Sequence, residues 1–376
     1  MFIMRNLGNN VNFLFTSTFV IALIFLVFYA TTRKYTLKEL LIYSFILIFS
    51  LLLIRVNGRN AFLFASISLI FMKGVCMKRM AKYLLVGSII IFFVNMMSFL
   101  LGDSSEITVG VRFDAVGNME RNVRHALGFV HPNALHLWLV TLFSLIIYLF
   151  HEKMRLGHYL ILSGLSIFVY SFNLSRTGLF ASFILLFLCY FFSRKKIIFK
   201  FFLSLLPSTL AIIMVLVSAN FIESNSSFLR ILNNFTSNRI FFSNIFLNHY
   251  PPRLLGWNTA FSINGAIIDT GYIDLLIRHG ILIFTGYLVI TFLAINVMFK
   301  KQLHIEIAIF LTFQIYNLTE PLAINISLNY SLLFLAHLFF KEFEEKSILN
   351  SKFQSAGGEK NEIIYNTPGL QCRKYN

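Results

Sequence analysis

The residues of this chain whose type and spacing could do chemistry are arginines in segments that contain no lysine. Two long polar segments, residues 102–133 and 223–278, contain no lysine, and three arginines fall within thirteen residues of the first. A guanidinium stays charged and offers a planar fork of donors that binds phosphate through two hydrogen bonds. The pattern therefore indicates a site for a pyrophosphate or an acidic glycan, with pairing to lipid headgroups as the simpler alternative. The arginines of the two segments are Arg112, Arg121, Arg124, Arg230, Arg239, Arg253 and Arg278.

Two motifs place polar residues where apolar runs begin. His131-Pro132-Asn133 precedes such a run, and proline suits the first position of a helix, so His131 and Asn133 would present polar atoms there. A simple helix cap is the alternative. Arg176 lies in a short turn, Ser175–Gly178, between two apolar runs. A charge so close to apolar chain calls for a partner or a ligand, whereas extension of the side chain to lipid headgroups is the alternative.

Asp269 and His249 are the candidates for a general base. Asp269 and Asp274 are carboxylates at the end of the second polar segment, near Arg278. A carboxylate in that position could accept a proton from a sugar hydroxyl, although an ordinary salt bridge to Arg278 is the alternative. His249 is a lone histidine of the same segment, for which a catalytic role is the less common outcome.

The elements that position these residues are apolar helices. The chain has 376 residues, of which 57% are hydrophobic and 13% charged, with a mean hydropathy of +0.74. Apolar runs of roughly 15 to 22 residues recur, which is the length that a helix needs to cross a bilayer. The sequence therefore predicts an all-α, polytopic integral membrane helix bundle with about eleven transmembrane helices (10–12) and two long extracytoplasmic loops. The predicted spans are 11–30, 39–56, 60–75, 83–101, 134–150, 159–173, 178–193, 201–222, 279–299, 303–318 and 323–340.

The lysines predict the orientation. Each falls in an alternate connector or in the C-terminal tail, and positive charge collects on the cytoplasmic side of membrane proteins. We therefore expect the N-terminus outside, the C-terminus in the cytoplasm, and segments 102–133 and 223–278 outside. Residues 1–349 form one transmembrane domain, and 350–376 form a disordered cytoplasmic tail. The lysines are Lys34, Lys38, Lys73, Lys78, Lys82, Lys153, Lys195, Lys196, Lys200, Lys300, Lys301, Lys341, Lys346, Lys352, Lys360 and Lys374.

The net charge of +16 does not indicate a nucleic-acid partner. The cationic residues are spread over many short connectors, and an excess of charge against anionic lipid explains them. The three cysteines form no CxxC motif, so no metal site is indicated. Residues 227–247 have apolar residues at helical spacing and predict an amphipathic helix at the outer interface.

Three ordered motifs resemble those of the Wzy-type polysaccharide polymerases, in the O-antigen ligase/polymerase superfamily. The first is Arg124 with Gly128-Phe129 and His131-Pro132-Asn133 before an apolar run. The second is the short turn Ser175–Gly178, and the third runs from Asp269 through Tyr272 to Gly280. The resemblance in topology covers nearly the whole chain, while the motifs cover about forty residues.

The resemblance implies a metal-independent, cofactor-free glycosyltransferase in the bacterial cytoplasmic membrane. It would join undecaprenyl-pyrophosphate-linked oligosaccharide repeat units into capsular or O-antigen polysaccharide. Its partners would be that lipid-linked glycan, membrane lipid, and polysaccharide-assembly proteins such as a flippase or a chain-length regulator, with no nucleic acid. The implied catalytic residues are Asp269, His249 and Arg176. The implied residues that bind pyrophosphate or glycan are Arg112, Arg121, Arg124, His131, Asn133, Arg253 and Arg278.

Three other functions stay open at this point: a ligase, a transporter, and a non-catalytic membrane subunit of a polysaccharide complex. A ligase would use the same site to transfer glycan to a different acceptor, but ligases of the superfamily usually carry histidine where this chain has Asp269. A flippase or another transporter of lipid-linked glycan would need several ionisable groups inside the spans. His304, Glu306 and His337 are the candidate ionisable groups of the late spans, and so small a number weighs against ion-coupled transport.

Overall fold

Helices make up most of the chain in a computed structural model, which describes residues 35–100, 107–113, 119–129, 131–194, 197–221, 227–259, 262–263 and 266–340. The predicted span 11–30 and the predicted tail 350–376 lie outside these residues. The helices are α1 Leu37–Asn57, α2 Ala61–Phe71, α3 Met77–Leu100, α4 Pro132–Phe150, α5 Leu156–Asn173, α6 Arg176–Phe192, α7 Lys200–Ala219, α8 Ser227–Phe235, α9 Arg239–His249, α10 Gly271–Asp274, α11 Gly280–Lys300, α12 His304–Tyr316 and α13 Ala336–Phe339. A π turn, Leu275–His279, joins α10 to α11, and 3-10 turns cover His151–Lys153 and Tyr330–Leu335.

Several helices have the length and apolarity that indicate a membrane protein. Five stretches are long and apolar enough to cross a bilayer among the described residues, rather than the eleven predicted. Apolar side chains also cover the outer surface of the bundle, where a water-soluble protein would place charge. The five stretches are Leu37–Asn57, Met77–Met97, Pro132–Lys153, Lys200–Ala219 and Gly271–Lys300. Exposed apolar side chains include Leu41, Phe45, Ile48, Phe93, Ile161, Phe187 and Ile213.

The segment that precedes α4, which the sequence predicts to be a loop, contains a hairpin that was not predicted. Strands β1 Ile107–Phe113 and β2 Met119–His125 form an antiparallel hairpin in which Thr108 pairs with Arg124 and Arg112 with Glu120. Apolar residues alternate with polar residues or glycine along β1, and this period of two favours a strand. Because alternate positions share a face, Arg112 and Arg124 occupy one face of the hairpin and Arg121 the other. A second, two-residue pairing joins β3 Ser262–Ile263 to β4 Ala266–Ile267.

Two helix predictions also need correction. The amphipathic helix predicted over 227–247 is divided into α8 and α9, because Ser237 and Asn238 adopt positive φ values of 57° and 64°. The predicted span 323–340 begins as turns, and its regular structure starts only at Tyr330.

The centre of the bundle is α12, which has buried residues along almost its whole length. It packs mainly against α6, while α7 packs against α11 and α4 against α3. The connectors at one end of the bundle contact each other, and so do the connectors at the opposite end. At one end Lys73 contacts Glu39 at 2.8 Å, and Lys78 contacts Glu152 at 3.6 Å. The connectors at the opposite end contact each other through the residues described next. A chain that crosses a bilayer repeatedly places alternate connectors on the same side, so this grouping is expected of a membrane-spanning bundle.

Candidate functional site

Glu320 joins three distant parts of the chain at the lysine-free end of the bundle. It lies in the turn after α12, and its side chain is 14% exposed. Its Oε1 accepts hydrogen bonds from Asn133 Nδ2 at 3.0 Å and from Arg239 Nη2 at 2.9 Å. Arg239, whose side chain is 6% exposed, also lies 3.8 Å from the Asp269 carboxylate through its Nε. The first turns of α4 and α9 are thereby tied to the segment that leads into α10.

Arg124 extends this arrangement from the hairpin. Its Nη2 donates to Asn133 Oδ1 at 2.7 Å, and its Nε donates to the carbonyl of Asn173 at 2.9 Å. His131 caps α4, because its Nδ1 accepts the backbone N–H of Asn133 at 3.1 Å. Pro132 follows as the first helical residue, as the sequence predicts. We call Arg124, His131, Asn133, Arg239, Asp269 and Glu320 the Glu320 cluster.

Burial and the neighbouring charges both affect the protonation of the titratable residues in the Glu320 cluster. Desolvation, followed by the charges of Arg124 and Arg239, lowers the pKa of His131 to about 4. The His131 side chain is still exposed, so water limits this shift. Burial raises the pKa of Glu320, and Arg239 opposes that rise. Burial likewise raises the pKa of Asp269 against Arg239 and Arg278. The Asp269 side chain is still 43% exposed, so water limits this rise and a ligand can reach the carboxylate.

A hydrogen-bonded layer inside the bundle supports Arg124 from below. His136 Nε2 lies 3.0 Å from Ser166 Oγ and 3.2 Å from Ser182 Oγ, and its Nδ1 lies 3.3 Å from Asn173 Nδ2. A Cβ at Gly178 would lie 2.5 Å from His136, so only glycine permits this approach of α6 to α4. Since Asn173 also accepts from Arg124, the layer fixes the height of that guanidinium.

A second group of charges surrounds the π turn. Arg278 Nη1 donates to Asp274 at 2.6 Å, and its Nε donates to Thr259 Oγ1 at 2.9 Å. The carbonyl of Arg253 accepts the N–H of Ile281, and the backbone N–H of Leu282 bonds to Leu254. These bonds satisfy N–H groups at the start of α11, which would otherwise lack partners. The segment before Thr259 is therefore fixed against the helix it covers.

The structure brings together some of the predicted site residues and separates others. Arg124, His131, Asn133 and Asp269 belong to the Glu320 cluster, and Arg278 acts on Asp269 from the π turn. The other predicted residues lie elsewhere. His249 is exposed at the end of α9, and Arg176 is exposed at the start of α6. The guanidinium carbon of Arg253 lies 3.2 Å from the centroid of the Trp257 ring, on which it stacks. Arg112 and Arg121 lie in the hairpin at the register positions given above.

Glu320 is the member of the cluster that the sequence reasoning missed. It lies between two predicted spans, in a connector with no lysine, and an acidic residue there was an available signal. Arg239 was counted among the loop arginines but was not placed in the site. Its burial beside two carboxylates distinguishes it from exposed Arg230 and Arg253.

No family model, characterised protein or solved structure matches this chain. The chemistry of the site is therefore argued from its own geometry. Arg124 and Arg239 bring two guanidiniums to the cluster, and the buried Arg239 Nη1 has no hydrogen-bond partner among the described residues. The half-exposed Asp269 carboxylate lies 3.8 Å from Arg239 Nε and can accept a proton.

Proposed function

We propose that this chain is a multi-pass membrane glycosyltransferase that joins lipid-pyrophosphate-linked oligosaccharide repeat units into capsular or O-antigen polysaccharide. The supporting observation is the contact between Asp269 and Arg239 within the Glu320 cluster. A candidate base thus lies beside a guanidinium with one buried donor atom that has no hydrogen-bond partner among the described residues. Transfer of a glycan from a pyrophosphate needs both groups, one for the attacking hydroxyl and one for the departing anion.

The proposal includes an orientation. The chain would cross the bacterial cytoplasmic membrane about eleven times as one domain, with the N-terminus outside and the lysine-rich end in the cytoplasm. The bias of lysine and arginine towards cytoplasmic connectors supports this orientation. The Glu320 cluster then lies at the outer face, where lipid-linked repeat units would reach it from the bilayer.

The reaction that we propose is a single displacement at the anomeric carbon of the growing chain. Asp269 accepts the proton of the acceptor hydroxyl as its oxygen forms the new glycosidic bond to that carbon. The bond from the carbon to the pyrophosphate oxygen breaks, and the electron pair leaves with the lipid pyrophosphate. Arg239 and Arg124 stabilise the negative charge on this leaving group, while Glu320 holds Arg239 in place. Donors fixed before the reaction stabilise charge without reorganisation.

The position of the cluster favours an enzyme over a transporter. Its members lie in connectors and at the ends of helices. Transporters bind their substrates near the middle of the bilayer, at breaks in helices. A ligase would use the same chemistry with a different acceptor, so product analysis separates the two enzymes. Cells without a ligase accumulate full-length polymer on the lipid carrier, whereas cells without a polymerase accumulate single repeat units.

The test is the length of surface glycan in a deletion strain that is complemented with variants. Arg124→Gln removes the guanidinium held by Asn133, and we expect single repeat units on lipid because the leaving group is no longer stabilised. Arg230→Gln is the matched control, since Arg230 is exposed on α8 and belongs to neither charged group. Long chains in the Arg124→Gln strain, at a protein level equal to the control, would contradict the proposal.

A further inference from the structure

Arg59 carries a charged guanidinium that has no hydrogen-bonded or ion-paired partner among the described residues. It lies in the connector between α1 and α2 and is partly buried, yet its guanidinium forms no hydrogen bond or ion pair within the described part of the chain. Burial lowers its pKa, the like charge of Arg278 adds to this effect, and the charge of Asp274 opposes it. Two guanidiniums near one carboxylate leave one positive charge in excess, which a bound anion would offset.

Backbone contacts bring Arg59 to the π turn. Gly58 ends α1 at a φ of 68°, and a Cβ there would lie 3.4 Å from the side chain of Asn258. The next residue, Thr259, accepts the hydrogen bond from Arg278. Arg278 is only 12% exposed and is fixed by Asp274. Two guanidiniums and one carboxylate thus share a sheltered place, which leaves one positive charge in excess.

His279 supplies an independent sign of a ligand. It is 2% exposed, and its Nδ1 has no hydrogen-bond partner among the described residues. The charges of Asp274, Arg278 and Arg59 all act on its ring, so it belongs to the same group. A buried polar atom without a partner costs about 1–3 kcal/mol, and a bound anion or its water can supply that partner.

Asp269 lies between the two charged groups. Arg239 approaches it from the Glu320 cluster at 3.8 Å, and Arg278 acts on it from the π turn. A transferase that joins two lipid-linked substrates must bind two pyrophosphate groups, one on the donor and one on the acceptor. This arrangement of charge matches that requirement.

We infer that Arg59, Arg278 and His279 form a second anion-binding subsite, which holds a phosphate group of the acceptor substrate while the Glu320 cluster holds that of the donor. The inference rests on the proposed function for the identity of the ligand. The arrangement of the residues does not depend on it. Arg278 is anchored by Asp274 and Thr259, and Arg59 supplies the donors that have no partner in the protein.

The test counts binding sites on the full-length protein in nanodiscs of zwitterionic lipid, with farnesyl pyrophosphate as the probe. We expect two molecules bound per wild-type protein and one per Arg59→Gln protein. The affinity at the second site should fall roughly tenfold to a hundredfold, because a hydrogen bond to a charged group is lost. Arg55→Gln is the matched control. Arg55 is exposed in the last turn of α1, the helix that precedes Arg59, and we expect the Arg55→Gln protein to bind two molecules.

The outcomes separate this inference from the proposed function. Binding by Arg59→Gln equal to that of wild type and Arg55→Gln would overturn the subsite, whatever the enzymatic result. Two sites that fall to one, together with unchanged polysaccharide in Arg59→Gln cells, would overturn the assignment of this subsite to the acceptor substrate, whereas the polymerase itself is tested by Arg124→Gln. Arg59→Lys keeps the charge, and retention of the second site in this variant would show that loss in Arg59→Gln is not misfolding.

A third arm identifies the source of the phosphate. Nanodiscs that contain phosphatidylglycerol present lipid phosphate at high local concentration, and inorganic pyrophosphate presents the same chemistry without a lipid tail. Displacement of farnesyl pyrophosphate from the Arg59 site by inorganic pyrophosphate supports a site for a substrate phosphate. Complete occlusion of that site by phosphatidylglycerol would assign it to bulk membrane lipid and overturn the assignment to a second substrate.

Discussion

The coupling between Glu320 and Arg239 gives the sharpest test of the geometry of the site. Glu320→Gln keeps an oxygen that can accept from Asn133 but removes the negative charge opposite Arg239. A hydrogen bond to a charged group contributes about 1.5–3 kcal/mol, and we expect a loss of that size in the free energy of unfolding. Arg239→Gln should cost at least as much, because it leaves Glu320 and Asp269 close together without their shared cation.

The double variant distinguishes a coupled pair from two independent residues. Glu320→Gln with Arg239→Gln removes both charges, so neither is left buried without its partner. The loss in the double variant should therefore fall short of the sum of the single losses by about 1.5 kcal/mol or more. Reversible unfolding in mixed detergent micelles, followed by far-ultraviolet circular dichroism, measures these differences.

An exposed ion pair of the same chain serves as the control. Lys78 and Glu152 are 3.6 Å apart at the opposite end of the bundle, with both side chains about half exposed. Such pairs contribute about 0–1 kcal/mol, so the same double-variant cycle should give a coupling energy near zero. Additive losses for Glu320 and Arg239, within the error of the control cycle, would refute the burial and the contact described above.

Three further predictions follow from single features. Asp269→Asn should abolish polymer formation with the fold retained. Because burial raises the pKa of Asp269, the activity of the wild type should fall on acidification at a higher pH than an ordinary aspartate would give. A rate that does not change with pH through that range excludes Asp269 as the base. Gly178→Ala should lower the free energy of unfolding by about 1–3 kcal/mol, since its Cβ would lie 2.5 Å from His136. Gly164→Ala is the control and should not destabilise the protein, because nothing lies within 4 Å of a Cβ there. Equal effects of the two substitutions would refute the close approach. Glu152→Cys in a cysteine-free background should react with a membrane-impermeant maleimide only after the cells are permeabilised, and labelling of intact cells would reverse the proposed orientation.

Helix positions could be predicted from the sequence because the length of an apolar run alone determines them. Most described helices begin and end within about three residues of the predicted spans. The span predicted over 323–340 is one exception, and helix α3 is another at its start, where Met77 precedes the predicted residue 83. The charged residues Lys78, Arg79 and Lys82 interrupt the hydropathy there, but they are good helix formers and do not interrupt the backbone. Hydropathy therefore located the apolar part of this helix and missed its polar first turns.

The structure of the polar segments could be predicted only in part. The hairpin depends on pairing between β1 and β2, and the apolar alternation that favours it is short. The types of Arg124, His131 and Asp269 indicated a site, because these residues are costly near an apolar run unless they have partners. Glu320 contacts Asn133 across 187 residues of sequence, and no local spacing reports such a contact.

The π turn at Leu275–His279 has a consequence for the whole polar end of the molecule. Such a turn corresponds to an α-helix with one residue inserted, so it displaces everything before it by about 100° around the axis of the helix that follows. Removing a single residue there would restore the ordinary helical repeat and swing Asp269 out of line with Arg239. The angular match between the two ends of this segment thus depends on chain length at one turn, and a one-residue deletion would do more damage than most substitutions.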